Sequence, residues 1–485
     1  MAFKTPPRSE TPDVPRKPIP PVPPSKPAIP PLPHVTTQPP APVRLVSLDA
    51  FRGLIMTLLA AHGFGLYALS QSPEDSPVWN ILNRDSLQRI AFHFEHPPQW
   101  RSNFPFGAST DPTAGNPLIR GAVSMWDLIQ PSFMFMVGVA IPFSTLRRKV
   151  LGETLVRRWT HAAVRALILV LMGVFLYSLD NTRTDWIFPN VLAQIGLGYL
   201  FAYSVVGLRW HWQALAAAAV LILTWLAFFV YQAPQDYDFA EVNASADRGE
   251  VLDPPFRQWS KNGNVAHAFD EKFLNAFPRP PEENPWRFNG GGYQTLNFVP
   301  SIATMILGVL CGQLLLASAL TPWRKVGWLL LAAIICYGLG LAAGAWACPI
   351  VKRIWTPSWA LFSAGYVIGI LALMYVLFDI FPFRKLAFPL VVVGTNSLLM
   401  YLLGETMTGW TRRHVVHTHF QPLLERISGW IASIAGWEAA LASEGRSLGA
   451  SAYAAFQPVI DFTAVFAVFW LIAFLLYRKK ILFRV

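Results

Sequence analysis

Two stretches of this sequence place side chains that can move protons beside a long apolar segment. FEHPPQW carries His96 among aromatic residues and prolines, and SMWDLIQPSFMFMVGVAIPFS carries Asp127 and Gln130 at the start of an apolar run. An ionisable group at the edge of a membrane helix is costly to desolvate, so such groups mark functional sites. Because an imidazole titrates near neutral pH, His96 is predicted to be a catalytic group.

A metal site is the alternative interpretation of the same loop, because His93 precedes His96 by three residues. No further His or Cys accompanies this pair in the loop, and we therefore expect no zinc or other metal. Cys311, Cys336 and Cys348 lie in or at the ends of apolar segments without C-x-x-C spacing, which is typical of packing residues.

The composition indicates an integral membrane protein. Of the 485 residues 53% are hydrophobic and only 14% are charged, against roughly 25% charged in soluble domains, and the mean hydropathy is +0.37. The net charge of +11 does not point to nucleic acid, because the positive residues cluster in short stretches between apolar segments. That distribution follows the positive-inside rule and assigns those stretches to the cytoplasm.

The apolar segments predict an all-α, polytopic membrane bundle of about 10 transmembrane helices, with both termini cytoplasmic. Residues 44–485 form this domain, and its two long outer loops cover about 71–123 and 232–292. Residues 1–43 are rich in proline and are predicted to be a disordered cytoplasmic tail, with an adaptor ligand as the less favoured alternative. The stretch LLERISGWIASIAGWEAALAS has helical apolar spacing and is expected to lie along the outer membrane interface.

Several polar or aromatic residues fall at the predicted ends of these spans. Lys352 and Arg353 lie on the outer side against the charge rule, so they bind an anionic group or belong to a re-entrant segment. Asp49 and Arg52 share one helical face and form either an anchoring ion pair or part of a ligand site. His62, in AAHGFG, is a second-tier site residue.

Six ordered elements resemble one protein family. RLVSLDAFRGL, the His96 loop, WDLIQPSFMFMVGVAIPFS, VLAQIGLGYL, KRIWTPSW and GTNSLLMYLL are together similar to the transmembrane acyltransferases typified by heparan-α-glucosaminide N-acetyltransferase, including bacterial relatives of unknown substrate. The resemblance extends from Arg44 over most of the chain. It implies transfer of an acetyl or related acyl group from cytoplasmic acetyl-CoA, across the bilayer, to an acceptor on the outer side.

The resemblance also assigns roles to residues. It puts the catalytic histidine on His96, the aspartate of the WDL element on Asp127 and the asparagine of the G-x-N-S element on Asn396. His62 stands where the family has an asparagine. His96 is expected to be the general base or a covalent acyl carrier, and Asn396 to donate a hydrogen bond to the thioester oxygen.

Binding residues are predicted on both sides of the membrane. For the donor they are cations at the cytoplasmic mouth: Arg52, Arg147, Arg148 and Lys149. For the acceptor they are polar and aromatic residues of the outer side: Trp100, Gln130, Lys352, Arg353 and Trp355. Aromatic faces stack on sugar rings, although aromatic residues also crowd membrane interfaces.

The expected partners are membrane lipid and a sugar or glycan acceptor, with no nucleic acid, and a homodimer is left open. The expected location is a bacterial inner membrane with the His96 loop in the periplasm. The alternative function is a transporter or flippase, since intramembrane polar groups also line substrate paths. That alternative predicts inverted repeats, and the sequences of the two long loops do not echo each other.

Overall fold

A computed structural model describes residues 44–97, 100, 123–278, 281, 285–442 and 445–483. Within these ranges every regular element is a helix, so the predicted all-α class is confirmed. The predicted tail, residues 1–43, and residues 101–122 of the first long loop lie outside the described residues.

The α-helices are numbered in chain order. The first nine are α1 (Val46–Ala60), α2 (Leu66–Ser70), α3 (Arg84–Ala91), α4 (Met125–Val150), α5 (Leu155–Tyr177), α6 (Val191–Ser204), α7 (Trp210–Val230), α8 (Val265–Phe273) and α9 (Phe298–Leu316). The next nine are α10 (Pro322–Trp346), α11 (Pro357–Tyr375), α12 (Phe388–Thr395), α13 (Ser397–Thr406), α14 (Thr408–Thr411), α15 (Gln421–Ala435), α16 (Glu438–Leu441), α17 (Leu448–Ala455) and α18 (Gln457–Arg478).

Short helical turns of other types connect or extend these helices. The 3₁₀ turns are His62–Gly65, Pro77–Asn80, Phe92–Phe94, Val205–Gly207, Arg257–Trp259, Leu274–Ala276, Thr295–Asn297 and Phe383–Lys385, and the π-helices are Val376–Ile380 and Arg412–Phe420. The two predicted outer loops thus contain short helices of their own.

Among the described residues, seven helices are long and apolar enough to cross a membrane: α4, α5, α7, α9, α10, α11 and α18. Two bent pairs, α1 with His62–Ser70 (48°) and α12 with α13 (80°), raise the number to nine if each is one span. A shorter apolar helix, Val191–Gly207, lies where the fourth span is predicted. The predicted count of about ten requires this helix to cross as well, and it stays a prediction together with the cytoplasmic termini.

Polar side chains fix where five of these apolar helices begin. At each start a Ser, Thr or Asn side chain accepts a hydrogen bond from a backbone N–H three residues on, which satisfies a donor that the helix leaves unpaired. These capping residues are Ser124 of α4, Thr154 of α5, Asn190 of α6, Thr321 of α10 and Thr356 of α11.

Glycines let α4 and α9 pack backbone to backbone at the centre of the bundle. A Cβ added at Gly138 would lie 1.9 Å from the carbonyl oxygen of Met305, and one added at Gly308 would lie 2.2 Å from that of Phe135. No side chain fits in this space. The contact therefore holds the start of α4 in a fixed position against the surrounding helices.

The first span bends at the sequence HGFG. His62, Gly63, Phe64 and Gly65 all have left-handed backbone conformations, with φ between 45° and 67°. Such a run is unfavourable for residues with a Cβ, and the two glycines reduce its cost. A Cβ at Gly63 would lie 2.8 Å from the Phe94 side chain, so the bend packs directly beneath the His96 loop.

The two long loops and the turn before α11 pack together at the end of the bundle that carries His96. Trp100 of the first loop donates from Nε1 to the carbonyl oxygen of Trp259 in the second, at 2.9 Å. Both indoles share a buried apolar cluster with Cys348, Val351 and Ile354. We call this end of the bundle the His96 end. The opposite end, where α4 finishes in Arg147, Arg148 and Lys149, is called the basic end.

Candidate active site

Three ionisable side chains from distant parts of the chain meet at the His96 end. His96 Nδ1 lies 2.7 Å from Asp127 Oδ1, and Lys352 Nζ lies 3.1 Å from the same oxygen. Lys352 Nζ is also 3.3 Å from His96 Nδ1. The Asp127 and Lys352 side chains are 5% and 3% exposed, whereas that of His96 is 37% exposed. The site thus has a buried ion pair behind an accessible imidazole.

The N-terminus of α4 positions Asp127. Ser124 caps this helix, and its Oγ accepts from the Asp127 backbone N–H at 3.0 Å. A carboxylate in the first turn is stabilised by the positive end of the helix dipole. Pro131 lacks the N–H that would bond the Asp127 carbonyl four residues earlier, which frees this carbonyl from the helical ladder.

A tight turn before α11 positions Lys352. The Trp355 N–H donates to the Lys352 carbonyl at 2.8 Å, and Thr356 bonds the Val351 backbone in both directions. Trp355 has φ 45°, an unfavourable conformation for an aromatic residue, and its buried indole donates to Thr304 Oγ1 at 3.4 Å. Strain of this kind persists only where the surrounding structure enforces it. The turn therefore holds Lys352 rigidly against Asp127.

The contacts of Nδ1 determine which imidazole nitrogen can react. A distance of 2.7 Å to a carboxylate oxygen is that of a charge-assisted hydrogen bond, so Nδ1 carries the proton and donates to Asp127. In the neutral ring Nε2 is then the unprotonated nitrogen. Burial lowers the pKa of His96 below its usual value of 6.5. The bond to Asp127 opposes this effect, and the charges of Lys352 and Arg353 reinforce it.

A buried amide pair lies one helical turn further into the bundle. Gln130 Nε2 donates to Gln194 Oε1 at 2.8 Å, and both side chains are buried. Gln130 follows Asp127 by three residues and hence shares its face of α4. Among the described residues, Gln194 Nε2 has no hydrogen-bond partner. The predicted site residue Gln130 therefore extends the polar face of α4 inward from Asp127.

Arg353 joins the turn to the second long loop. Its Nη1 donates to the Gly291 carbonyl at 2.8 Å, and its guanidinium lies 5.5 Å from the centroid of the Tyr293 ring. Its carbonyl accepts from Asn297 Nδ2 at 2.6 Å, while its buried Nε has no hydrogen-bond partner. Arg353 thus lies beside the site and fixes the loop that borders it.

The two tryptophans predicted to bind the acceptor are packing residues in this conformation. Trp100 is 3% exposed and Trp355 is 1% exposed. The ring that faces His96 is instead that of Trp126, with centroids 6.4 Å apart and an edge-on arrangement. Roles for Trp100 and Trp355 in acceptor binding stay predictions.

His62 and Asn396 are bonded to groups other than the His96 cluster. His62 Nε2 lies 3.3 Å from Thr408 Oγ1 and 3.4 Å from the Gly404 carbonyl. Asn396, at the 80° break between α12 and α13, donates to the Ile481 carbonyl at 3.4 Å and accepts from the Phe483 N–H at 2.9 Å. Asn396 therefore anchors the C-terminal segment that follows α18.

The predicted donor-binding cations lie away from the His96 end. Arg147, Arg148 and Lys149 form the last turn of α4, about 30 Å along the helix axis from Asp127. Arg148 is paired with Glu153 at 2.9 Å. Arg52 is half-buried on α1. The first three residues therefore lie about the thickness of a hydrocarbon core away from Asp127.

Sequence reasoning missed two features of this site. It expected Lys352 to bind an anionic group or to belong to a re-entrant segment, and it did not identify Asp127 as the partner of the ammonium. It also passed over Gln194, although an amide within the apolar run VLAQIGLGYL was a signal that a buried polar contact exists. Within the described ranges, no group of three His, Cys, Asp or Glu side chains is arranged to hold a metal ion.

One comparison with known proteins gives a family match. Residues 113–241, about a quarter of the chain, match the family described as "Heparan-alpha-glucosaminide N-acetyltransferase, catalytic". The resemblance inferred from the sequence motifs is thereby confirmed. The matched segment includes Asp127, Gln130 and Gln194, while His96 and Lys352 lie outside it. No curated protein matches the chain. Together with the apolar helices, the match supports a membrane acetyltransferase.

Proposed function

We propose that this relative of the heparan-α-glucosaminide N-acetyltransferases moves an acetyl or related acyl group from cytoplasmic acyl-CoA to an amine or hydroxyl on the outer side of the membrane. His96 is the reacting base in this proposal. The observation that supports it best is the cluster of His96, Asp127 and Lys352, in which a buried ion pair orients an exposed imidazole.

The cluster suits proton abstraction from a weak nucleophile. Nδ1–H donates to Asp127, so Nε2 presents its lone pair to the acceptor. Nε2 takes a proton from the acceptor while the acceptor's nitrogen or oxygen forms a bond to the thioester carbon. The C–S bond then breaks, and the CoA thiolate leaves with a proton returned by the imidazolium. Asp127 holds the ring and stabilises the transient positive charge, as in other His–carboxylate pairs.

Lys352 keeps the imidazole neutral before the reaction. The charge of Asp127 alone would favour the protonated ring, which cannot act as a base. The ammonium 3.1 Å from the same carboxylate oxygen offsets that effect. Burial, which is the largest cause of the lowered pKa of His96, and this ammonium together leave the imidazole unprotonated and active as a base at neutral pH.

Gln130 and Gln194 are the side chains we assign to the interior part of the reaction path. They lie one turn inward from Asp127, in the direction from which a thioester would approach if the donor enters at the basic end. The unpaired Nε2 of Gln194 is a donor for the thioester oxygen as that oxygen gains charge. We assign this role to Gln194 rather than Asn396, because the Asn396 amide already bonds the C-terminal backbone.

The donor's phosphates belong at the basic end in this proposal. Arg147 and Lys149 are exposed in the last turn of α4, where cations can pair with phosphate oxygens. The acceptor is a sugar or other glycan approaching the exposed face of His96. A covalent acyl-histidine on Nε2 is the second version of this mechanism, and ping-pong kinetics distinguish it from direct transfer.

The test is acyl transfer by purified protein with radiolabelled acetyl-CoA and a cell-envelope glycan fraction. We expect labelled glycan from wild type. His96→Ala should reduce labelling by about a hundred- to ten-thousand-fold, because it removes a positioned base, while acetyl-CoA binding is retained. His93→Ala is the matched control, since His93 lies in the same loop and outside the cluster, and should label normally.

Equal labelling by His96→Ala and wild type would remove His96 from the mechanism. Absence of labelling by wild type with acetyl-CoA and longer acyl-CoA donors alike would contradict the acyltransferase assignment. In that case uptake of the glycan fraction by proteoliposomes would test the transporter alternative.

A further inference from the structure

Helix α15 exposes a continuous apolar stripe that the described part of the chain does not cover. Its five largest apolar residues on this side, with their exposed fractions, are Leu423 (52%), Ile427 (43%), Trp430 (67%), Ile431 (45%) and Ile434 (68%). At 100° per residue they fall within about 100° of the helix circumference. A stripe of this kind is unfavourable in water.

The opposite face of α15 packs on the protein. A Cβ added at Gly429 would lie 2.9 Å from Gly449 Cα, so α15 and α17 approach backbone to backbone. Ser428 and Ala432, on the same face, are buried. The helix therefore has one face fixed to the molecule, and its apolar face points away from it.

The position of α15 places it at a membrane surface rather than across a membrane. Its 15 residues extend about 22 Å, less than the roughly 30 Å of a hydrocarbon core, and include Glu425 and Arg426. The helices that follow it contact the first long loop, where Asn80 donates to the Ala440 carbonyl at 3.4 Å. The helix thus lies at the His96 end of the bundle.

Two exposed arginines lie on α15 and on the π-helix that precedes it. The π-helix Arg412–Phe420 leads into α15 and contains Arg412, Arg413 and three histidines. Arg413 is exposed there, and Arg426 is exposed beside the stripe on α15. The Arg412 Nε is buried without a hydrogen-bond partner. Glu425 lies away from the stripe and accepts from Gln421 at 2.9 Å. Among the described residues of α15, the charged side chain beside the stripe is therefore the positive Arg426.

We propose that α15 and the π-helix Arg412–Phe420 form a docking surface for anionic phospholipids of the leaflet at the His96 end. The stripe enters the acyl-chain boundary of that leaflet, and Arg413 and Arg426 pair with the phosphate groups. A helix with an apolar face and flanking cations lies in the plane of an anionic membrane surface. A second copy of the chain would also cover the apolar stripe, but it would bring the arginines of the two copies together.

Spin labels test the insertion of the stripe. The three native cysteines are buried, so Ile427→Cys and Ile434→Cys each provide one reactive thiol for a nitroxide. Arg89→Cys, in the exposed part of α3, is the aqueous reference. In proteoliposomes we expect the labels at 427 and 434 to collide more with oxygen than with a water-soluble nickel complex, and the label at 89 to do the reverse.

Two results would overturn the proposal at this stage. Nickel accessibility at 427 and 434 equal to that at 89 would show that the stripe faces water. Dipolar broadening that disappears on dilution with unlabelled protein would show that a second copy covers it.

Lipid selectivity tests the role of the arginines. Native mass spectrometry from mixed micelles gives the affinity for phosphatidylglycerol relative to phosphatidylcholine. We expect R413Q/R426Q to lose about five-fold in this preference for each arginine removed. R89Q removes an exposed charge from the same end of the molecule and should leave the preference unchanged. Equal preference in wild type and R413Q/R426Q would contradict the assignment of these two residues.

Discussion

Replacing Lys352 with methionine tests whether the buried ion pair controls the protonation of His96. Methionine keeps much of the side-chain volume but removes the ammonium that lies 3.1 Å from Asp127 and 3.3 Å from His96. Burial and Arg353 still lower the pKa of His96 in this variant, but the ammonium no longer opposes the carboxylate, so the pKa rises relative to that of wild type. Since the base must be unprotonated, the acidic limb of the pH–rate profile moves to higher pH.

The size of the shift follows from the distance. Two unit charges 3.3 Å apart interact by about 1.3 kcal/mol in the dielectric of water and by about 5 kcal/mol at an effective dielectric of 20. Because the His96 side chain is 37% exposed, solvent screens the interaction and the lower part of this range applies. We expect the limb to rise by about one to two pH units.

The assay is the initial rate of acetyl transfer to the glycan fraction between pH 5 and 9, as kcat/KM for acetyl-CoA. Lys352→Arg keeps the positive charge and should keep the wild-type limb. Lys352→Met combined with Asp127→Asn removes both charges and should bring the limb back toward that of wild type. An unchanged limb in active Lys352→Met protein would refute the proposed role of the ammonium.

Three further predictions concern other parts of the molecule. Asn396→Ala should destabilise the protein by about 1–3 kcal/mol and speed carboxypeptidase cleavage of the C-terminal segment, because Asn396 bonds that segment rather than His96. The acidic limb of the pH–rate profile should not move, and a shifted limb would argue for a role of Asn396 in the site. Gly394→Val should lower the melting temperature in detergent, because a Cβ there would lie 1.9 Å from the Asp49 carbonyl and overpacking costs about 1–3 kcal/mol. Gly338→Val should leave the melting temperature unchanged, because a Cβ at this position meets no atom within 4 Å. Equal melting temperatures of the two variants would contradict this packing. Burial raises the pKa of Asp270 to about 7 and lowers that of His267 to about 4. The stability of His267→Gln should therefore fall as the pH rises from about 4 to 7, whereas the stability of Asp270→Asn should increase as the pH rises from about 4 to 6.5. Thermal unfolding across this range measures both slopes, and parallel slopes would be inconsistent with these pKa values.

The membrane helices were predictable because each one is a continuous apolar run of sufficient length. The breaks within the spans were harder to predict. HGFG and GTNS interrupt apolar runs with glycine or asparagine, but only the three-dimensional structure shows bends of 48° and 80° at those points. A bend depends on what packs against it, such as Phe94 against Gly63, and that contact is not a local property of the sequence.

His96 and Asp127 could be singled out from the sequence more readily than the residues around them, and a catalytic role for the two stays a prediction. His96 and Asp127 are ionisable residues beside an apolar segment, and their residue types alone suggest a site. The partnership of Asp127 with Lys352 joins positions 225 residues apart, and no local pattern encodes it. The residue type also did not show that Trp100 is buried whereas the Trp126 ring faces His96, because stacking and packing use the same side chain.

The most direct test of transfer across the membrane uses proteoliposomes of uniform orientation. Radiolabelled acetyl-CoA is supplied only on the side of Arg147 and Lys149, and the glycan acceptor only on the side of His96. Transfer across the membrane predicts labelled glycan in this arrangement with wild-type protein and not with His96→Ala. Labelling that requires donor and acceptor on the same side would contradict it.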